Sequence, residues 1–188
     1  IMATLATTNI KHASSSSNNI VLNSSGTTQI PGHIIQVVQG QTTTENSNTT
    51  ITMADTGLSL SITPHAASSK ILAFVTQSAR ISMTTAIGGG FQLLRDSTVV
   101  HKAAPVSTDG TNNVPVQLYF ANFASNASFY FYHNMHFLDS PSYSLGSSLT
   151  YKTQMAIAIA GSGRTIYAQP DGTDTNGIST ITLMEVAT

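Results

Sequence analysis

From His33 onward the chain repeats one pattern: short runs rich in apolar, β-branched and aromatic residues, closed by Gly, Pro, Asn or Asp, with strict alternation visible in some of them. Leu58, Leu60 and Ile62 alternate with Ser59, Ser61 and Thr63, and Ile181 and Leu183 alternate with Thr180 and Thr182. A period of two sends successive side chains to opposite faces of a pleated strand, so such a run buries one face and wets the other. No segment carries the three-and-four spacing of an amphipathic helix. The chain is therefore expected to be all-β.

The runs His33–Gln39, Thr49–Asp55, Leu58–Thr63, Lys70–Met83, Gly90–Arg95, Val99–Ala103, Val114–Asn122, Ser128–Leu138, Ser148–Ala160, Thr165–Ala168 and Ser179–Val186 read as strands. Asp96-Ser97 reads as a tight hairpin, Gly161-Ser162-Gly163 as a second connection, and Pro170-Asp171-Gly172 with Asn176-Gly177 as a loop before the last strand. Many short strands with turn signals between them predict an antiparallel sandwich, a jelly roll, over residues 33–188. Residues 1–32 differ. Ser14-Ser15-Ser16-Ser17-Asn18-Asn19 and Asn23-Ser24-Ser25-Gly26 surround a single apolar island, Ile20-Val21-Leu22, which cannot build a core of its own. An extended attachment or interchain segment is expected there, with Ile20, Val21 and Leu22 as its anchor.

Charge narrows the function. Asp, Glu, Lys and Arg are 8% of the 188 residues, and the net charge is −1, against about 25% charged residues in an ordinary domain. Serine, threonine and asparagine supply the polarity instead. Seven scattered basic residues give no footprint for a nucleic-acid backbone. No apolar run approaches the ~20 residues that span a bilayer, so neither nucleic acid nor membrane insertion is expected. Without cysteine, disulfide scaffolds, thiolate metal sites and thiol catalysis are excluded.

The chemistry-bearing motifs are weak. His133 and His136 are three apart on an expected strand and should face opposite ways, which argues against chelation by the pair. There is no Gly-x-Ser-x-Gly elbow, and Gly161-Ser162-Gly163-Arg164 lacks the lysine of a phosphate loop. Asp55, Asp96, Asp109, Asp139, Asp171 and Asp174 fall at strand ends or turns, where aspartate bonds local backbone. No catalytic residue, cofactor or metal is expected, and the chain does not read as an enzyme.

Aromatic residues carry more. Phe129-Tyr130-Phe131-Tyr132 puts rings on both faces of one strand, Phe129 and Phe131 on one side, Tyr130 and Tyr132 on the other. One side serves the core and the other a subunit interface, so these four residues are the candidate trimer contact. A carbohydrate platform of exposed tyrosines is the alternative. Low charge and long strands raise the problem of open sheet edges, which oligomerisation answers.

Thr8-Asn9-Ile10-Lys11-His12-Ala13, running into the serine and asparagine tract and Ile20-Val21-Leu22, resembles the N-terminal segment of tail-fibre and related virion proteins of tailed bacteriophages of the marine type. The resemblance continues through Asp55-Thr56-Gly57-Leu58-Ser59-Leu60-Ser61-Ile62-Thr63-Pro64, Leu94-Arg95-Asp96-Ser97-Thr98, Phe137-Leu138-Asp139-Ser140-Pro141 and Ile181-Thr182-Leu183-Met184-Glu185, and so covers nearly the whole chain. It implies a virion structural protein whose jelly-roll head is similar to the trimeric tumour-necrosis-factor-like folds. A tail-fibre or fibre-knob protein for host attachment is the first expectation. A capsid-decoration or head-fibre protein with a purely architectural role is the second, and a carbohydrate-binding module the third. The implied partners are further copies of the chain, other virion proteins through residues 1–32, and host surface glycans. The implied location is the extracellular particle, assembled in the host cytoplasm. For glycan contact the loops Pro105–Asn113 and Pro170–Gly177 are the candidates, through Asp109, Asn112, Asn113, Asp171, Asp174 and Asn176, with Tyr167 as a stacking face at the edge of the second.

Overall fold

A computed structural model describes residues 9–16, 20–22, 28–84, 86–103, 114, 117–120, 126–172 and 175–188. Their strands are, in chain order, β1 (Asn9–Ile10), β2 (Ile20–Leu22), β3 (Thr28–Gln29), β4 (Ile34–Thr42), β5 (Asn46–Asn48), β6 (Ala54–Ile62), β7 (Lys70–Met83) and β8 (Ile87–Arg95). There follow β9 (Thr98–Lys102), β10 (Leu118–Phe120), β11 (Ala127–Asp139), β12 (Leu149–Ile157), β13 (Thr165–Ala168), β14 (Asp171–Gly172), β15 (Thr175–Asn176) and β16 (Ser179–Val186). Among the described residues there is no helix, and hence none long and apolar enough to cross a membrane.

Two antiparallel sheets pack as a sandwich. The first is organised by β7, whose fourteen residues pair along one edge with all thirteen of β11. Its other edge is shared: β16 pairs with Lys70 to Thr76 and β13 with Ala79 to Ser82, with β4 outside β16 and β5 outside β13. In the second sheet β8 lies between β12 and the pair β9 and β10, and β6 closes the far side of β12. The chain crosses between sheets after β5, β6, β7, β10, β11 and β12. Alternation then builds the core: Ile71, Ala73, Val75, Ala79, Ile81 and Met83 of β7 meet Phe91, Leu93, Tyr151, Met155, Ile157, Leu58 and Ile62 from the opposite sheet. Each large side chain so buried contributes about 1.5–3 kcal/mol.

Local chemistry moves some boundaries. Thr49–Asp55, expected as a strand, is largely a turn, because Asn48 replaces the ladder: its Oδ1 accepts from Thr50 N and Oγ1, both at 2.8 Å, and its Nδ2 donates to the Thr52 and Met155 carbonyls, also at 2.8 Å. A side chain that satisfies nearby backbone overrides the β-branched preference of Thr50, Ile51 and Thr52. Conversely β6 runs unbroken through Gly57, at φ 85°, where Asp55 faces Gln154 and Ser59 faces Lys152 across a bulge. A Cβ there would lie 2.7 Å from Asn46 Nδ2, so only glycine fits. Of the expected strand Val114–Asn122, the described residues place Leu118–Phe120 in the ladder. The described residues of the N-terminal segment pair with one another. A turn held by Ser15 N to His12 O at 2.9 Å and by the Ser14 hydroxyl on His12 Nδ1 at 2.7 Å folds β1 back onto β2, and β3 adds to form a three-stranded sheet.

A polar thread crosses the core where β7 changes partner. Between Thr76 and Ala79 neither β16 nor β13 reaches Ser78, so its backbone needs other partners. The Ser179 hydroxyl accepts from Ser78 N at 2.9 Å, and Gln169 N donates to Ser78 O at 3.0 Å. The same hydroxyl takes the amides of Gln77 and Gln169, both at 2.7 Å, and Gln77 reaches across the sandwich to accept from Thr153, which meets Thr56. All six residues are buried.

Two carboxylates close one end of the sandwich, flanking Ile71 in the same row. Asp139 pairs with Arg95 and accepts from Tyr151 Oη at 2.7 Å, linking the sheets; burial first, and then Asp139, push the Tyr151 phenol far above its ordinary range. Glu185 is wholly buried and accepts from His65 N, Ala66 N and Gln36 Nε2 at 2.7–3.1 Å. Burial opposes its ionisation, but these donors outweigh it and hold the carboxyl below its ordinary value.

Two outcomes follow for stability. Ser179→Ala removes the acceptor of Ser78 N and one partner each of the Gln77 and Gln169 amides, and should cost about 1–3 kcal/mol in urea unfolding. Because the Glu185 pKa is lowered on folding, its contribution is complete above the unfolded value near 4.5 and is lost as pH falls through the folded one. Glu185→Gln should lower stability at neutral pH by about 1–3 kcal/mol and flatten the fall in unfolding midpoint below about pH 4.5.

Candidate functional site

Strand β11 sorts its side chains by parity. Phe129 and Phe131, two members of the expected trimer contact, turn inward and are half-buried against the core, Phe131 edge-on to Phe91 at 6.5 Å. His133 and Met135 follow them inward. His133 stacks on Phe91 at 5.6 Å, and burial, helped by nearby His101, lowers its pKa. Tyr130, Tyr132, Asn134, His136 and Leu138 point outward. The two histidines thus face opposite ways, His136 lying against Phe74 at 5.0 Å, and the described residues hold no cluster of three metal-ligating side chains.

The outward tyrosines meet the second candidate region. Register places Arg80 of β7 between Tyr130 of β11 and Tyr167 of β13. Its guanidinium lies 3.8 Å from the Tyr167 ring centre and 5.8 Å from that of Tyr130, the weaker contact of the two. Glu45 is 3.6 Å from Arg80 and accepts from Asp171 N at 2.8 Å, which ties the small β14–β15 hairpin to the sheet.

Between the hairpin and the tyrosines lies a cleft of about 270 Å³ lined by Ser78, Ala79, Tyr130, Phe131, Tyr132, Pro170, Asn176 and Gly177. Tyr130 is 50% exposed and Tyr132 65%. Gly177 forms part of the wall because nothing larger fits: a Cβ would sit 2.5 Å from Ser78 Oγ and 2.7 Å from Pro170 Cδ. Its amide donates to the Pro170 carbonyl at 2.9 Å, closing the hairpin base.

The structure therefore brings Tyr130, Tyr132, Tyr167, Asp171 and Asn176 onto one face, although sequence reasoning assigned them to two separate roles. Asp171 and Asn176 are exposed on the hairpin. Asp174 lies outside the described residues, as do Asp109, Asn112 and Asn113 with the whole Pro105–Asn113 loop. Ile20 is half-buried in β2, and the side chains of Val21 and Leu22 lie outside the described ones. Arg80, Glu45, Ser78 and Gly177 were not singled out from sequence. Parity placed Arg80 on the outer face of its strand, but its neighbours depend on register.

The aspartates divide. Asp96 sits in its turn, at φ 54°, but its Oδ1 accepts from Thr150 N of β12 at 3.0 Å instead of from local backbone. Asp55 instead holds Lys152 and Gln154 at 2.8 and 2.7 Å; burial raises its pKa, and these two partners more than reverse that. Asp139 departs most from the turn reading, since it is the buried clamp between the sheets. No protein-family model matches the chain, and a search of curated proteins finds none similar to it in sequence.

Glu45 is the link between sheet and hairpin, so Glu45→Ala should speed hydrogen exchange of the Asp171 amide by about tenfold or more while leaving β7 amides protected. Equal protection in both proteins would show that the hairpin is held by other contacts.

Proposed function

We propose that the chain is a bacteriophage virion structural protein, a trimeric jelly roll of the tail-fibre or fibre-knob type that takes part in host attachment. The strand orders support the jelly roll: β4, β16, β7, β11 in one sheet and β6, β12, β8, β9 in the other, antiparallel throughout, with successive strands passing from sheet to sheet. The sequence resemblance to tailed-phage fibre proteins supports the virion setting.

One observation carries self-association. On the outer face of the first sheet Leu138, Leu72, Met184 and Val37 are aligned across four strands by the pairings Leu138↔Leu72, Met184↔Leu72 and Met184↔Val37. Val37 is 53% and Leu138 46% exposed, and Phe74 and Ile34 extend the patch. A contiguous apolar row on a sheet face, with hydroxyl and amide rows beside it, suits contact with further copies of the chain. The interface is thus assigned to this row, and Tyr130 and Tyr132 lie beyond it on the same face. The N-terminal segment is left to join the head to other virion proteins.

Two measurements test the reading. Sedimentation should give a particle of three times 19.7 kDa, and the double variant Val37→Glu, Leu138→Glu should sediment as a monomer with an unchanged β-type circular dichroism spectrum. A stable wild-type monomer at micromolar concentration contradicts the trimer. Gold-labelled antibody on intact particles should mark the tail; capsid labelling would favour a decoration protein, and unlabelled particles would remove the virion assignment.

A further inference from the structure

We infer that the cleft between Tyr130, Tyr132 and the β14–β15 hairpin binds one neutral pyranose ring of a glycan. The lining decides the ligand's charge first. None of the eight lining residues is ionic, and the nearest cation, Arg80, is already engaged by Glu45 and by the face of Tyr167. A phosphate, sialic acid or nucleotide would bring an anion that none of these lining residues neutralises.

Polarity and size decide the rest. Two half-exposed tyrosines at positions i and i+2 of one strand project to the same side about 7 Å apart along the chain, forming an apolar platform edged with hydroxyls. Ser78, the register partner of Tyr132 on β7, adds a hydroxyl to the floor, and Asn176 adds an amide from the hairpin. A ligand that matches this has a flat C–H face for the rings and hydroxyls around its rim, which is the amphipathic character of a sugar ring. The volume, about 270 Å³, falls below the roughly 300–1,000 Å³ of pockets for drug-sized ligands and suits a single ring. The cleft is also pre-organised, because Gly177 is wedged against Ser78 and Pro170 and the hairpin is tied down through Glu45. Lastly, Tyr132 stands six residues from Leu138 on β11, about 20 Å at ~3.3 Å per residue, so the cleft stays open when the apolar row is covered. The inference rests on the attachment reading only for the source of the sugar.

Saturation-transfer NMR on the full chain tests it, using methyl α-D-glucoside, methyl α-D-galactoside, methyl α-D-mannoside and methyl N-acetyl-β-D-glucosaminide as probes. At least one should receive saturation at its ring protons with a Kd of about 1–10 mM. Tyr132→Ala should weaken binding by about tenfold or more, and Tyr132→Phe, which keeps the ring, by no more than about threefold. Asn176→Ala, a change at an exposed hairpin position, should also weaken it, and Tyr119→Ala on the other sheet should not. No transfer to any of the four probes overturns the inference. So does transfer that survives unchanged in both Tyr132→Ala and Asn176→Ala, or a concentration-dependent burial of Tyr132 that shows a second copy occupying the cleft. Binding by the isolated chain with unlabelled particles would leave the cleft assignment standing and reject the virion reading, whereas labelled particles without sugar binding would do the reverse.

Discussion

Strand β7 is longer than either strand that pairs with its inner edge, and the rest of the molecule accommodates that mismatch. At Ser78 the ladder has to change partner in the middle of a buried sheet, where an unmet N–H or C=O costs about 1–3 kcal/mol. The Ser179 hydroxyl and the Gln169 amide fill the two vacant places. Because Gln169 ends one partner strand and Ser179 begins the other, the chain between them must leave the sheet and return, and the β14–β15 hairpin is that excursion. The cleft wall made of Pro170, Asn176 and Gly177 thus follows from how the break in the ladder is satisfied. Fold and candidate site have one cause.

Charge is used sparingly, and two of the carboxylates, Asp139 and Glu185, lie where water is excluded. Asp139 and Glu185 sit on either side of Ile71 in one inward row at the end of the sandwich, yet they are satisfied differently: one by an arginine and a phenol from the facing sheet, the other by backbone amides and a glutamine. Neutral donors on Glu185 leave no cation to bury beside it, which limits the desolvation cost of the arrangement. The outer surface is hydroxyl and amide, illustrated by the Thr76 to Asn134 and Gln39 to Thr182 bonds across the first sheet. Contacts between such surfaces depend little on ionic strength, since salt screens exposed charge pairs and there are few to screen.

The outer face of the first sheet is divided along its strands. An apolar row lies at one end, threonine, asparagine and glutamine occupy the middle, and tyrosines with Arg80 lie at the other end. Under the proposed function these bands separate assembly from recognition on a single rigid surface. The N-terminal three-stranded sheet is continuous with β4 through Pro31 and Gly32, where Gly32 N donates to Ala187 O.

The alternation of side chains was enough, by itself, to establish the all-β class, the full extent of Lys70–Met83 as a strand, the Asp96-Ser97 turn, and the separation of Phe129 and Phe131 from Tyr130 and Tyr132. These are consequences of backbone geometry within one segment, where a period of two is written directly into residue order. What the tertiary structure decided are relations between segments far apart in the chain. Arg80 lies between Tyr130 and Tyr167, Ser179 stands opposite Ser78, and Asp139 is a buried clamp instead of a turn residue, because each depends on which strands become neighbours and in what register. The same reason explains the two misplaced boundaries: Asn48 ends a strand by bonding a carbonyl of β12, and Gly57 continues one because Asn46 leaves no room for a side chain. Neither partner is visible from the local pattern, since pairing is set by packing of the whole sandwich and not by the residues on either side.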